Sequence, residues 1–160
     1  MITVLFTIGI YLILAAGVVA LLGLIQPIAA VRRLSLSIIL LGLIAGIVAV
    51  FFTLIRDVNL QIPLFEVSNL LEINFYLDRL SAFFILIICI VSVCATVYSF
   101  GYIEHLHNSK RRHWLIGLMA IFMASMIGVV ASENYFTLLL NWEIMSLSSF
   151  FLVVLEREQT

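Results

Sequence analysis

Apolar residues fall into five long blocks in this chain: Ile2–Ile25, Leu36–Ile55, Leu80–Tyr102, Trp114–Ala131 and Tyr135–Leu155. Each is close to the roughly 20 mostly apolar residues that a helix needs to cross a bilayer. The predicted fold is an all-α integral membrane protein, with five transmembrane helices forming a single domain over residues 1–160. The first block has the apolar character of a signal peptide. It lacks a basic stretch ahead of it, exceeds the usual apolar core of a leader, and is followed rather than preceded by Arg32 and Arg33. It is therefore read as a retained helix.

The longest connection, from Arg56 to Asp78, has a different period. Leu71, Ile73, Phe75 and Leu77 alternate with Glu72, Asn74, Tyr76 and Asp78, as in a half-buried strand. Ser68 and Asn69 offer a turn, and Leu60–Val67 is the candidate partner strand, with Pro63 favouring an edge. A small β-hairpin between the second and third helices is expected, with Asp78 as the N-cap of the third. Gly42 and Gly46 give the second helix a small-xxx-small face suited to close packing.

Composition supports the lipid reading. The chain is 64% hydrophobic and 11% charged, against about 45–50% and about 25% for a soluble domain. The net charge of -1 matters less than its placement. Arg32 and Arg33 follow the first helix, and Lys110, Arg111 and Arg112 follow the third; the other side holds Arg56 and Arg79 among five acids. Positive charge stays cytoplasmic, so the expectation is a multi-pass protein of the cytoplasmic (inner) membrane with its N-terminus outside and its C-terminus inside. No basic domain or motif points to a nucleic-acid partner.

Few residues offer chemistry. Cys89 and Cys94 stand roughly 140° apart around a helix, poor partners for a disulfide or a metal. His105, His107 and His113 fall near Lys110–Arg112 in what reads as a basic, solvated loop beside headgroups. No set of ligands for a metal, haem or iron–sulfur centre is evident, so no cofactor and no redox centre is assigned to this chain.

Glu143 is the exception. It lies near the middle of the fifth block, more than about 10 Å from either end. A charge at that depth costs on the order of 3 kcal/mol. Ser146, one turn on, shares its face, while Asn141 and Ser148 form a second polar line suited to helix packing. Glutamate could act as interhelical glue, but glutamine or asparagine would do that without the charge. Ion or proton handling is the default reading of an intramembrane acid, which makes Glu143 and Ser146 the proton-path candidates.

The run Leu77-Asp78-Arg79-Leu80-Ser81-Ala82-Phe83-Phe84, with Tyr98-Ser99-Phe100-Gly101-Tyr102, resembles the antiporter-like membrane subunits of complex I. The same family includes subunits of multisubunit sodium/proton antiporters and energy-converting hydrogenases. The segment from Asn141 to Val153, with its Trp142-Glu143-Ile144-Met145-Ser146-Leu147-Ser148-Ser149 core, is most similar to hydrogenase-4 and formate hydrogenlyase subunits. The resemblance implies that Glu143 is the family's proton-channel glutamate, paired in the family with a lysine on a later, broken helix. The one lysine here, Lys110, is in a loop on this reading. The expectation is thus the N-terminal part of an incomplete antiporter-like subunit. It would work with other membrane subunits, one supplying an intramembrane lysine, in a complex whose electron transfer happens elsewhere. The alternatives are a sodium/proton antiporter subunit and a non-pumping membrane anchor.

Overall fold

The computed structural model describes residues 2–24, 29–56, 60–68, 71–105 and 109–157. Along the chain come α1 (Ile2–Leu22), α2 (Ala29–Arg56), β1 (Leu60–Ser68), β2 (Leu71–Leu77), α3 (Arg79–His105), α4 (Ser109–Ala131) and α5 (Tyr135–Arg157). All five helices are long and apolar enough to cross a membrane. The expected all-α membrane architecture and its small hairpin are both present.

Several helix ends differ from the expected bounds. α1 stops at Leu22 because Gly23 ends it; its N–H bonds Val19 O at 3.1 Å and that of Leu24 bonds Leu21 O at 3.0 Å. α2 begins at Ala29 rather than Leu36, so Arg32 and Arg33 lie in its opening turns. α4 begins at Ser109 rather than Trp114 and takes in Lys110–His113. Long basic side chains lie along a helix end while their heads reach the interface, so hydropathy alone sets these starts too late.

α4 is the hub. It packs against α1, α2, α3 and α5, whereas α5 touches α4 and β2 but neither α1 nor α3. Accordingly 61% of the most apolar stretch of α4 is buried, against 6% of that of α5. Lipid gives helices little hydrophobic push toward each other, so close contact depends on small residues. The α1–α2 seam runs over Gly9, Gly42 and Gly46, and a Cβ at residue 42 would stand 2.8 Å from Gly9 O. The α1–α4 seam runs over Gly17, Gly117 and Ala120. Ile13 lies against Gly42, and it, Ile39, Leu43 and Ile116 are each at most 1% exposed.

β1 and β2 pair antiparallel, with Leu60 opposite Leu77 and Ile62 opposite Phe75, and the register shifts just after Pro63. The suggested turn at Asn69 lies outside the described residues. β2 uses its second edge on the α4–α5 turn: Glu133 N–H donates to Asn74 O at 3.1 Å, and Phe75 bridges to Ser132. Phe75 and Leu77 are buried, so the hairpin is a lid seated on one end of the bundle. The other end carries Arg32, Arg33 and Lys110–Arg112, while Arg56 and Arg79 flank the hairpin.

Asp78 caps α3. Ser81 N–H donates to its Oδ1 at 2.7 Å and Ala82 N–H to its carbonyl at 2.9 Å. The bond from the Ser81 backbone holds the Asp78 carboxyl below its ordinary pKa.

Candidate functional site: the two faces of α5

Asn134 starts α5. Its Oδ1 accepts the Thr137 N–H at 2.7 Å and its carbonyl accepts the Leu138 N–H at 3.0 Å. This cap fixes the helix one residue after the hairpin contact at Glu133. Sequence reasoning passed over Asn134 because it sits between two apolar blocks, although Asn before a helix is a known start signal.

The inner face of α5 is polar and satisfied. Thr137 is fully buried, and its carbonyl accepts a hydrogen bond from Asn141 Nδ2 at 2.8 Å. Asn141 Oδ1 occupies the space where a Cβ of residue 128 would stand, so a larger residue there would have to displace the carboxamide. Further along, the buried Ser148 hydroxyl returns to its own helix, with Ile144 O at 2.7 Å and Met145 O at 3.0 Å as the alternative acceptors. Gly128 is the residue of this contact that the sequence did not flag; the Asn141 it receives lies 13 positions on, in another helix.

Glu143 belongs to the opposite face. It is exposed, between exposed Trp142 and Ile144, with exposed Leu139 and Leu147 one turn to either side. Among the described residues it makes no hydrogen bond and no ion pair. Ser146 is also exposed, and among the described residues its hydroxyl makes no bond to Glu143. Instead its backbone carbonyl accepts the Ser149 hydroxyl at 2.8 Å. At i and i+3 the two side chains share a face, so both point to whatever adjoins α5 there. The structure does not bring the four candidates together: Glu143 and Ser146 face outward, Asn141 and Ser148 face α4.

The remaining candidates sort similarly. Cys89 is buried and Cys94 exposed. His113 is not in a solvated loop; it is 1% exposed on α4, its ring against Gly23 at the end of α1. His105 ends α3 and His107 lies outside the described residues. Arg32, too, is only 7% exposed. Among the described residues, no three His, Cys, Asp or Glu gather as metal ligands.

Residues 65–112, covering most of the hairpin, α3 and the start of α4, match the family described as NADH-ubiquinone oxidoreductase (complex I), chain 5 N-terminus. The chain is 35% identical over 98 residues to hydrogenase-4 component B of Escherichia coli, which covers 61% of this chain and 14% of that protein. It is 37% identical over 89 residues to a Na(+)/H(+) antiporter subunit A1 of Staphylococcus haemolyticus, covering 56% of this chain and 11% of the relative. It is 30% identical over 128 residues to the chloroplastic NAD(P)H-quinone oxidoreductase subunit 5 of Chara vulgaris, covering 71% and 19%. The chain thus spans less than a fifth of the length of each of these relatives.

Proposed function

We propose, from the premise that this chain belongs through residues 65–112 to the complex I chain 5 family, that Glu143 is its contribution to a proton path. The observation that carries the reading is the direction of that side chain. It sits about 12 Å along α5 from Tyr135, faces away from the hub helix, and is bonded to nothing in the described chain. A carboxylate left so in hydrocarbon costs on the order of 3 kcal/mol. Such a residue is retained where a neighbour completes the site.

The neighbour that fits is a cation on an adjoining membrane segment, and the resemblance supports an intramembrane lysine in that place. With the cation close, the carboxylate is favoured; with the cation withdrawn, the carboxyl takes up a proton and becomes neutral. Alternation between the two moves one proton per cycle through this position. Ser146, on the same face, offers a hydroxyl to relay it. Asn141 and Ser148 hold α5 on α4 and so aim Glu143 outward.

Within that mechanism we assign the chain to a respiratory complex of the hydrogenase-4 or formate hydrogenlyase type. The Asn141–Ser149 run and the similarity to hydrogenase-4 component B support this. The similarity to sodium/proton antiporter subunits supports a second reading, in which the exchanged ion is sodium. Placement of arginine and lysine supports a cytoplasmic membrane with the hairpin end outside.

The test is Glu143→Gln, which keeps size and most hydrogen bonding but cannot ionise. In vesicles with equal amounts of assembled wild-type and variant complex, proton uptake per electron should fall sharply in the variant. An unchanged rate and stoichiometry would leave a membrane anchor as the better reading. Dependence of turnover on sodium would favour the antiporter.

A further inference from the structure

Among the described residues α5 has two holds, α4 along its length and β2 at its start. A helix resting on one neighbour is free to roll about its own axis. At the outer radius of a helix, about 5–6 Å, a roll of about 20° carries a side-chain head about 2 Å. The seat of Asn141 on Gly128 opposes such a roll. Whatever holds Gly128 and the turn after it therefore holds the angle of α5.

Ser132 is where the two holds meet. Its backbone is bridged to Phe75 of β2, and the next N–H, that of Glu133, donates to Asn74 O at 3.1 Å. Its side chain turns to α4, where Oγ donates to Gly128 O at 2.6 Å. In a continuing helix that carbonyl would accept the N–H of residue 132. Here the Ser132 N–H lies 3.4 Å from Val129 O instead, and the hydroxyl takes its place on Gly128 O. The chain can thus leave α4 for the sheet edge while the last turn of α4, with Gly128 in it, stays wound. We propose that Ser132 is the joint through which the hairpin sets the angle of α5 about its axis, and with it the direction of Glu143.

The linkage from Ser132 to α5 is short. The Asn141 carboxamide rests on Gly128, Asn141 Nδ2 donates to Thr137 O at 2.8 Å, and the Thr137 N–H donates to Asn134 Oδ1 at 2.7 Å. Asn134 follows directly on Glu133, which closes the loop on the hairpin. Glu143 stands two residues beyond Asn141 on the same helix. Without the Ser132 hydroxyl, the carbonyl of buried Gly128 would lack its donor, a state that folded chains avoid. The remedy at hand is for α4 to wind on by one residue, which moves the N–H of residue 132 from Val129 O to Gly128 O. That draws residue 132 off the sheet edge and re-aims the turn that leads into α5. The importance of the angle for proton transfer rests on the reading of Glu143 given above; the joint itself does not. A misplacement of about 1 Å at a reacting group can cost on the order of 10²-fold.

The test uses the assembled complex in native-membrane vesicles, with spin labels on Val91→Cys of α3 and Val153→Cys of α5 in a Cys94→Ala background. Both valines are exposed and line one groove over α4, so the distance between the labels reports the angle of α5. Ser132→Ala should shift or broaden that distance by about 2 Å and lower proton uptake per electron about tenfold or more. Ser132→Thr keeps the hydroxyl and suits extended backbone, so it should match the wild type in both. Gln61→Ala removes only the exposed 3.3 Å bond to Glu133 Oε1 and should change neither. If Ser132→Ala does not assemble, Glu133→Pro takes its place: it deletes the N–H given to Asn74 O, and the same shift is expected. An unchanged distance in the assembled variant would overturn the proposal, as would a shift that Ser132→Thr shares. A shifted distance with unchanged proton uptake would uphold the joint and count against Glu143 as the proton carrier.

Discussion

Replacing Gly42 by alanine tests whether the α1–α2 seam holds the bundle together. The added Cβ would stand 2.8 Å from Gly9 O and 2.9 Å from Ile13 Cγ1, where ordinary contact begins at 3.4 Å. Ile13 can swing, but Gly9 O belongs to helix backbone. α1 and α2 must then part by about 0.6 Å or more, a gap large enough to forfeit roughly a quarter of each well across it. The affected contacts include the buried Ile13, and also Leu12, whose Cβ would stand 3.2 Å from the added carbon. Overpacking of this kind costs about 1–3 kcal/mol, or about one to two decades in the folded population. Gly101→Ala is the control, since nothing lies within 4 Å of its added carbon and helix propensity favours alanine there by about 1 kcal/mol. The assay is reversible unfolding in mixed micelles, comparing both variants with the wild type. If Gly42→Ala proves as stable as Gly101→Ala, the seam is not close-packed and the reasoning fails.

Other expected outcomes follow from the same contacts. Gly128→Ala should drive the Asn141 carboxamide out of its seat and loosen α5, seen as faster amide exchange confined to α5; unchanged exchange would refute the contact. Asp78→Ala should cost about 0.5–2 kcal/mol as a lost N-cap, measured by the same unfolding assay. Because the Asp78 pKa is lowered from 3.8, its ionised form stabilises the fold above that value, and this share is lost as pH falls below it. The wild type should therefore lose stability over that acid range more steeply than Asp78→Asn. Asn134→Ala should loosen the start of α5 by a similar capping cost of about 0.5–2 kcal/mol, read as exchange at Thr137 and Leu138.

The sequence by itself determined what is local. Five apolar blocks, the strand-period alternation from Leu71 to Leu77 and the cap at Asp78 each rest on a few neighbouring residues, and all three are present. The glycines at 42 and 46 likewise mark a close seam, although their partner Gly9 was not legible. What tertiary structure alone decided is which face of each helix meets which neighbour. In lipid, an apolar residue is equally at home facing a tail or another helix, so the blocks carry no period that names an inner side. Hence α4 as hub and the seat of Asn141 on Gly128 emerge only from the fit of small residues against bulky ones across helices. The same fit turned His113 into the bundle, where the basic residues beside it suggested solvent. It also turned Glu143 outward, because Asn141 seats α5 on Gly128 of α4 and Glu143 stands on the opposite side of the helix.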